Sequence, residues 1–259
     1  VREFVLETKA QFGRWMIHLK REPFSVAFNL LNPIILLIFM GGAFQGLARA
    51  SISPDGLGVD YRSYLLPGIL ALTAFGNSMA GGIPLLFDRE NGFLVRLMSA
   101  PISHASILVS RFLAVNLSTL LQCLLVLALG FLFGVRIATG LGGVAALLAI
   151  GLLLGFGVTM ISLMLAFRFE NHGDFFAVMG LTTLPLTFLS SAFVPLDMMP
   201  AWMRLAAQIN PMTYAIDAMR ALILTGWDAP RLLVMAIVLL VFDGAMFWLG
   251  AKVLSRHLA

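Results

Sequence analysis

The sequence predicts an all-α membrane protein with six transmembrane helices, and three observations carry that prediction. Hydrophobic residues make up 60% of the chain and charged residues only 12%, with a mean hydropathy of +0.95; a water-soluble domain carries about a quarter charged residues. The apolar residues fall in blocks of about 20 with few or no charges, the length that crosses a bilayer as a helix. Lysine and arginine collect in alternate connections between those blocks, the asymmetry that orients membrane proteins.

In chain order, residues 1–23 read as an amphipathic helix lying in the membrane interface. Phe4, Val5, Phe12, Trp15, Met16 and Leu19 form much of one stripe flanked by Arg and Lys, and Pro23 stops the helix at Glu22. A helix packed on protein is the alternative. Six spans follow, at 27–47, 64–87, 107–133, 141–167, 176–194 and 232–251. The run before Ala48-Arg49-Ala50 is too long for a signal-peptide core and follows a charged segment, so the first span is read as uncleaved. The connection 88–106 starts charged, turns amphipathic through Phe93, Leu94, Leu97 and Met98, and breaks at Pro101. The segment 195–231 is too apolar for a free loop, and Pro200 and Pro211 each suit the start of a short helix. Two re-entrant helices dipping into the outer half of the bilayer are expected there.

With the N-terminus inside, eleven of the 17 Lys and Arg residues fall on the cytoplasmic side, five of them (Arg2, Lys9, Arg14, Lys20, Arg21) before the first span. The whole chain, 1–259, is expected to form one transmembrane domain with both termini in the cytoplasm. The net charge of +4 is small and suits juxtamembrane anchoring in lipid rather than nucleic-acid binding. Cys123 lies in an apolar run and has no second cysteine to pair with. No repeat relates the two halves, unlike the plan of many secondary transporters.

Catalysis is not expected on this chain. A phosphate-binding loop needs Gly-Lys followed by Ser or Thr, and none of Lys9, Lys20 or Lys252 is followed by either. An intramembrane serine protease needs a histidine within the membrane, but His18, His104, His172 and His257 all fall in cytoplasmic segments. The H-E-x-x-H pattern of zinc proteases is absent, and no metal site is assigned.

Two stretches identify a family. Phe87-Asp88-Arg89-Glu90-Asn91-Gly92-Phe93-Leu94-Val95-Arg96-Leu97-Met98-Ser99-Ala100-Pro101-Ile102-Ser103 resembles the first cytoplasmic loop of ABC-2-type permeases, with Phe93 and Val95 in place of the usual small polar residue and Glu. Ala192-Phe193-Val194-Pro195-Leu196-Asp197-Met198-Met199-Pro200, followed by 210–220 with Asn210-Pro211 and Tyr214, resembles the second signature, before the last span. Arg21-Glu22-Pro23 and Asn32-Pro33 also sit where that family has them, and the likeness to drug- and lipid-exporter permeases related to daunorubicin export spans the chain.

The resemblance implies an exporter in a bacterial inner (plasma) membrane, built from two membrane subunits, a homodimer or a pair with a related permease, and two separate ATP-binding subunits. No cofactor is then expected on this chain; ATP and Mg belong to the partner ATPase. It implies that the first loop forms a coupling helix, with Asp88, Arg89 and Glu90 making polar contacts, Gly92 in the turn, and Leu94, Leu97 and Met98 filling a groove of the ATPase. The substrate expected is hydrophobic or amphipathic: a drug, lipid or glycolipid.

Other residues carry two readings each. Asp243, near the middle of the last span, costs at least about 2.5–3.5 kcal/mol there and must face protein or water. It reads as a structural carboxyl or, in the alternative of an ion-coupled secondary transporter, as a coupling site. Asn77, Asn116 and Gln122 read as pathway-lining groups or as interhelical hydrogen bonds. The pairs Gly42/Gly46, Gly130/Gly134 and Gly151/Gly155 read as close-packing sites within the subunit. In 195–231, Trp202, Leu205, Ile209, Tyr214, Ile216 and Met219 read as an outer hydrophobic lid, with Pro211 dividing its two helices and Arg204, Asp217 and Arg220 turned toward the aqueous mouth.

Overall fold

The computed structural model describes residues 2–21, 30–43, 61–93, 96, 99, 103–169 and 171–258. Among these the chain is helical with no strand. We number the helices α1 (Arg2–Arg21), α2 (Leu30–Ala43) and α3 (Tyr61–Glu90), α4 (His104–Leu132), α5 (Gly140–Arg168) and α6 (His172–Phe188). Two short helices, α7 (Ala201–Ile209) and α8 (Pro211–Leu224), precede α9 (Ala229–Leu258).

Four helices, α3, α4, α5 and α9, are long and apolar enough to cross a membrane. They match the second, third, fourth and sixth expected spans. The first expected span coincides with α2 and extends beyond the described residues at both ends. The fifth stops early: α6 has 17 residues and ends at Phe188, not at 194. Asn210 explains that end, because its Nδ2 donates to the Leu186 and Leu189 carbonyls, each at 2.7 Å. Those are the acceptors a finishing helix leaves unfilled.

α3 is not one smooth helix. Pro84 has no N–H for the carbonyl four residues back, and the backbone tightens into a 3-10 turn at Ala80–Gly82. Neighbouring helices satisfy the disturbed groups. Ser162 of α5 accepts from the Gly82 N–H at 2.8 Å and donates to the Met79 carbonyl. Arg111 of α4 donates its Nε to the Gly81 carbonyl at 2.8 Å. The kink therefore fixes how α3, α4 and α5 sit together.

The main core gathers where α3 and α8 meet. Leu65, Leu66, Ile69 and Leu70 of α3 and Met212, Ile216, Met219 and Leu222 of α8 are each no more than 2% exposed. Ala192 approaches α3 so closely that a Cβ on Gly68 would lie 2.5 Å from its carbonyl oxygen. α9 packs on α5 through Gly157, where a Cβ would fall 2.3 Å from a Phe242 ring carbon. The other side of α9, with Leu233, Val234, Val241 and Trp248, is exposed, as a lipid-facing surface would be. Gly130 and Gly155 pack inside the chain, against Leu66 and Ser78 respectively, whereas Gly134 lies past the end of α4 with φ +86°.

α1 lies along α4. Trp15 is buried, Phe4, Phe12 and Met16 are half-buried, and Val5 is exposed. Much of the stripe read from the sequence thus meets protein.

Candidate functional site

The end of α3 is tied to three other helices. Its last three residues, Asp88, Arg89 and Glu90, each engage a different helix of the same chain. Asp88 Oδ2 accepts from Arg14 Nη2 of α1 at 2.9 Å. Arg89 Nη1 donates to the carbonyls of Phe167 and Phe169 at 3.2 and 3.4 Å, where α5 ends and its dipole is negative. Glu90 pairs with His172 Nδ1 in the first turn of α6. The His172 ring packs 4.2 Å from Phe87 and 6.3 Å from Phe176, centroid to centroid.

Gly92, at φ +68°, turns the chain out of α3. The Asn91 and Gly92 N–H groups close the helix on the Phe87 and Arg89 carbonyls at 3.0 and 3.1 Å. Phe93 then packs under the Arg14 guanidinium, 4.5 Å from its ring centroid. Arg14 and Arg111 also lie over Trp15, at 4.3 and 4.2 Å. The connection returns to α1 at its far end, where the Ser103 N–H donates to Glu7 Oε2 at 3.0 Å. The loop is fastened to α1 on both sides.

Asp88, Arg89 and Glu90, the residues expected to make polar contacts with the ATPase, are engaged within this chain by Arg14, the α5 carbonyls and His172. Leu94, Leu97 and Met98 lie outside the described residues. The sequence does not assign Arg14, Trp15, Arg111 or His172 to this site, and reads Trp15 as part of an interfacial stripe, because the partners stand far away along the chain, 74 residues in the case of Arg14 and Asp88.

The polar residues within the spans divide. Asn77 and Gln122 meet between α3 and α4, Gln122 Nε2 donating to Asn77 Oδ1 at 2.9 Å. Asn77 Nδ2 donates to Thr119 Oγ1 at 2.7 Å. Asn116 instead donates to the Phe112 carbonyl of its own helix at 2.8 Å. Asp243 is 6% exposed and lies against Gly157, and neither carboxylate oxygen has a hydrogen bond of standard geometry among the described residues.

At the opposite end of the bundle, Asn210 caps α8 by accepting from the Met212 N–H at 3.0 Å, with Pro211 in the first turn. Asp217 and Arg220 do not face an open mouth. Arg220 Nη1 donates to Asp217 Oδ1 at 3.1 Å and Nη2 to the Ser191 carbonyl at 2.6 Å, with the guanidinium 4.0 Å over the Tyr64 ring. Arg204, half-buried, donates to the carbonyls of Leu196, Asp197 and Met199 in the preceding segment. The carbonyls that hold these two arginines all lie in the segment between α6 and α7. Trp202 and Ile209 of α7 are 69% and 78% exposed, while Ile216 of α8 is fully buried and Tyr214 donates its hydroxyl to the Gln208 carbonyl.

Comparison with known proteins supplies the family. Residues 7–224 match the model of the ABC-2 type transporter. The chain is 34% identical to a protein named as a transport permease, ycf38, of Cyanophora paradoxa, over 85% of this chain and 74% of that one. It is 29% identical to a protein named as a doxorubicin resistance ABC transporter permease, DrrC, of Mycobacterium tuberculosis, over 87% and 79%. It is 26% identical to the daunorubicin resistance ABC transporter permease protein DrrB1 of Streptomyces coeruleorubidus, over 84% and 75%. The two loop motifs and the long apolar helices agree with these matches, which favour this reading over an ion-coupled transporter: the chain belongs to the ABC-2 type transporter family and is a multi-pass membrane subunit of an ABC transporter.

Proposed function

We propose that this subunit forms the translocation pathway of an exporter for a hydrophobic or amphipathic substrate, driven by a separate ATP-binding subunit that holds ATP and Mg. The pathway is completed by a second copy of the chain or a related permease, in a bacterial inner membrane. In this reading α2 and α6 are the first and fifth of six spans, and both termini are cytoplasmic. α1 lies at the cytoplasmic interface, and α7 with α8 forms the outer lid within 195–231.

The observation that carries the proposal is the fastening of the α3 end to α1, α5 and α6 through Asp88, Arg89 and Glu90. A push on the connection 88–106 reaches four helices at once. Coupling by such a push is limited by the difference in ATP affinity between the two states. Asp88, Arg89, Glu90 and Gly92 hold and shape the loop in this mechanism, while Leu94, Leu97 and Met98 form the face that docks in the ATPase.

Purification of the tagged chain in mild detergent is expected to bring down an ATPase with a phosphate-binding loop. Leu97→Asp should abolish that association, because it places a charge in an apolar groove. Glu90→Ala should leave the association and lower transport per ATP hydrolysed. A chain that transports with no ATPase bound, or a Leu97→Asp variant that retains it, overturns the reading.

A further inference from the structure

We infer that the cleft between α2, α3 and α4 is an intramembrane binding site for an uncharged amphiphile presenting one hydrogen-bond donor, the chemistry of a long-chain alcohol or an acylglycerol hydroxyl. The cleft holds about 330 Å³, with apolar walls that include Pro33, Leu36, Ile69 and Leu72. That volume is at the small end of small-molecule sites, which run from about 300 to 1,000 Å³ with apolar walls and a few placed polar groups.

Four lining residues are polar, Asn32, Thr73, Asn77 and Gln122; Thr73 gives its hydroxyl to the Ile69 carbonyl, and the network of Asn77 sets what Gln122 offers. The Val115 carbonyl only accepts, so the Asn77 atom 3.4 Å from it is the amide nitrogen. The same nitrogen donates to Thr119 Oγ1. Asn77 Oδ1 is thereby turned to Gln122, which must give it an N–H. Gln122 Oε1 is left over, an acceptor with no partner among the described residues, on a residue that lines the cleft. An acceptor in an apolar site selects a donor, because an unfilled polar atom costs about 1–3 kcal/mol.

The wall also excludes charge. Among the described residues no Asp, Glu, Lys, Arg or His lines the cleft, so an ionic headgroup would meet no counter-ion among them. A second, independent feature marks the place. α2 widens into a π-helical turn at Leu36–Met40, beginning at the residue that lines the cleft. Such turns concentrate at functional sites because they give up regular hydrogen bonding to reshape one wall. Gly76 completes the opening: a Cβ there would meet nothing within 4 Å.

The inference adds a ligand chemistry to the exporter reading, and the site stands whether its occupant is cargo or a resident lipid. The test is photolabelling of the full chain in nanodiscs with a long-chain alcohol carrying a diazirine, read by peptide mapping. Labels are expected on α2, α3 and α4, saturable and displaced by unlabelled alcohol but not by the fatty acid of equal length. Gly76→Leu, which fills open space, should abolish the labelling, and Gln122→Met should weaken it about five-fold through the lost hydrogen bond. In the intact transporter, emptying of the site during ATP turnover marks the ligand as cargo, and steady occupancy marks it as lipid; both support the site. Labelling that does not saturate, that fatty acid displaces equally, or that survives Gly76→Leu overturns it. ATPase co-purification in the same variants reads the exporter proposal separately.

Discussion

At the scale of single residues, the Asp217–Arg220 pair shows how a charge is carried inside this protein. The two side chains are 16% and 14% exposed, and Ser191 serves both, its hydroxyl donating to Asp217 at 2.8 Å and its carbonyl accepting from Arg220. A buried ion pair is cheap to replace as a unit and costly to halve, because the survivor is an unpaired charge. Arg220→Met should therefore cost about 3–5 kcal/mol. Adding Asp217→Asn to it should recover most of the loss. Thermal unfolding of the detergent-purified chain measures both, and a double variant with the sum of two large losses would sink the account. The sequence shows the i, i+3 spacing of this pair. It does not show Ser191 or Tyr64, which only the turn after α6 and the packing of α3 bring to it.

At the scale of elements, the long spans were legible because hydrophobic blocks of bilayer length have few other uses. α7 and α8 were legible in part. Their apolar content and the Asn210-Pro211 start announced two short helices, and Asn210 does cap α8. What the sequence did not separate is their surroundings: α8 is enclosed by α3, α5 and α9, whereas α7 turns Trp202, Leu205 and Ile209 outward. A cysteine at Ile216 should stay unreactive to a membrane-impermeant thiol reagent, since that position is 0% exposed. A cysteine at Ile209, 78% exposed in the isolated chain, decides the lid proposal. Lipid or a second subunit covering α7 should slow its labelling at least about ten-fold against a control at Asp55, since an apolar patch of this size is not left in water. Buried Cys123 adds little background. Labelling at Ile209 as fast as at Asp55 makes α7 an ordinary exposed helix.

At the scale of the whole molecule, the ties at the end of α3 were the least legible part, and the reason is physical. Asp88, Arg89 and Glu90 form a charge run, and charge runs on a sequence look solvated; their partners stand on α1, α5 and α6, placed by the fold alone. The arrangement yields a test that separates two roles for Asp88. If it binds Arg14 to tie α1 to the loop, Asp88→Asn and Arg14→Ala remove the same contact. Each should leave ATPase association intact and lower transport per ATP hydrolysed, and the double variant should be no worse than either single one, as for residues acting as a unit. The pair is partly exposed, 32% and 22% by side chain, so its direct energy is screened and the effect on stability should stay below about 1 kcal/mol. The uncoupling would therefore come from lost transmission rather than from a failing fold. If Asp88 instead contacts the ATPase, Asp88→Asn weakens association while Arg14→Ala leaves coupling unchanged. Assembly by co-elution and transport against hydrolysis in proteoliposomes distinguish the two, and the second pattern would remove the tie from the mechanism.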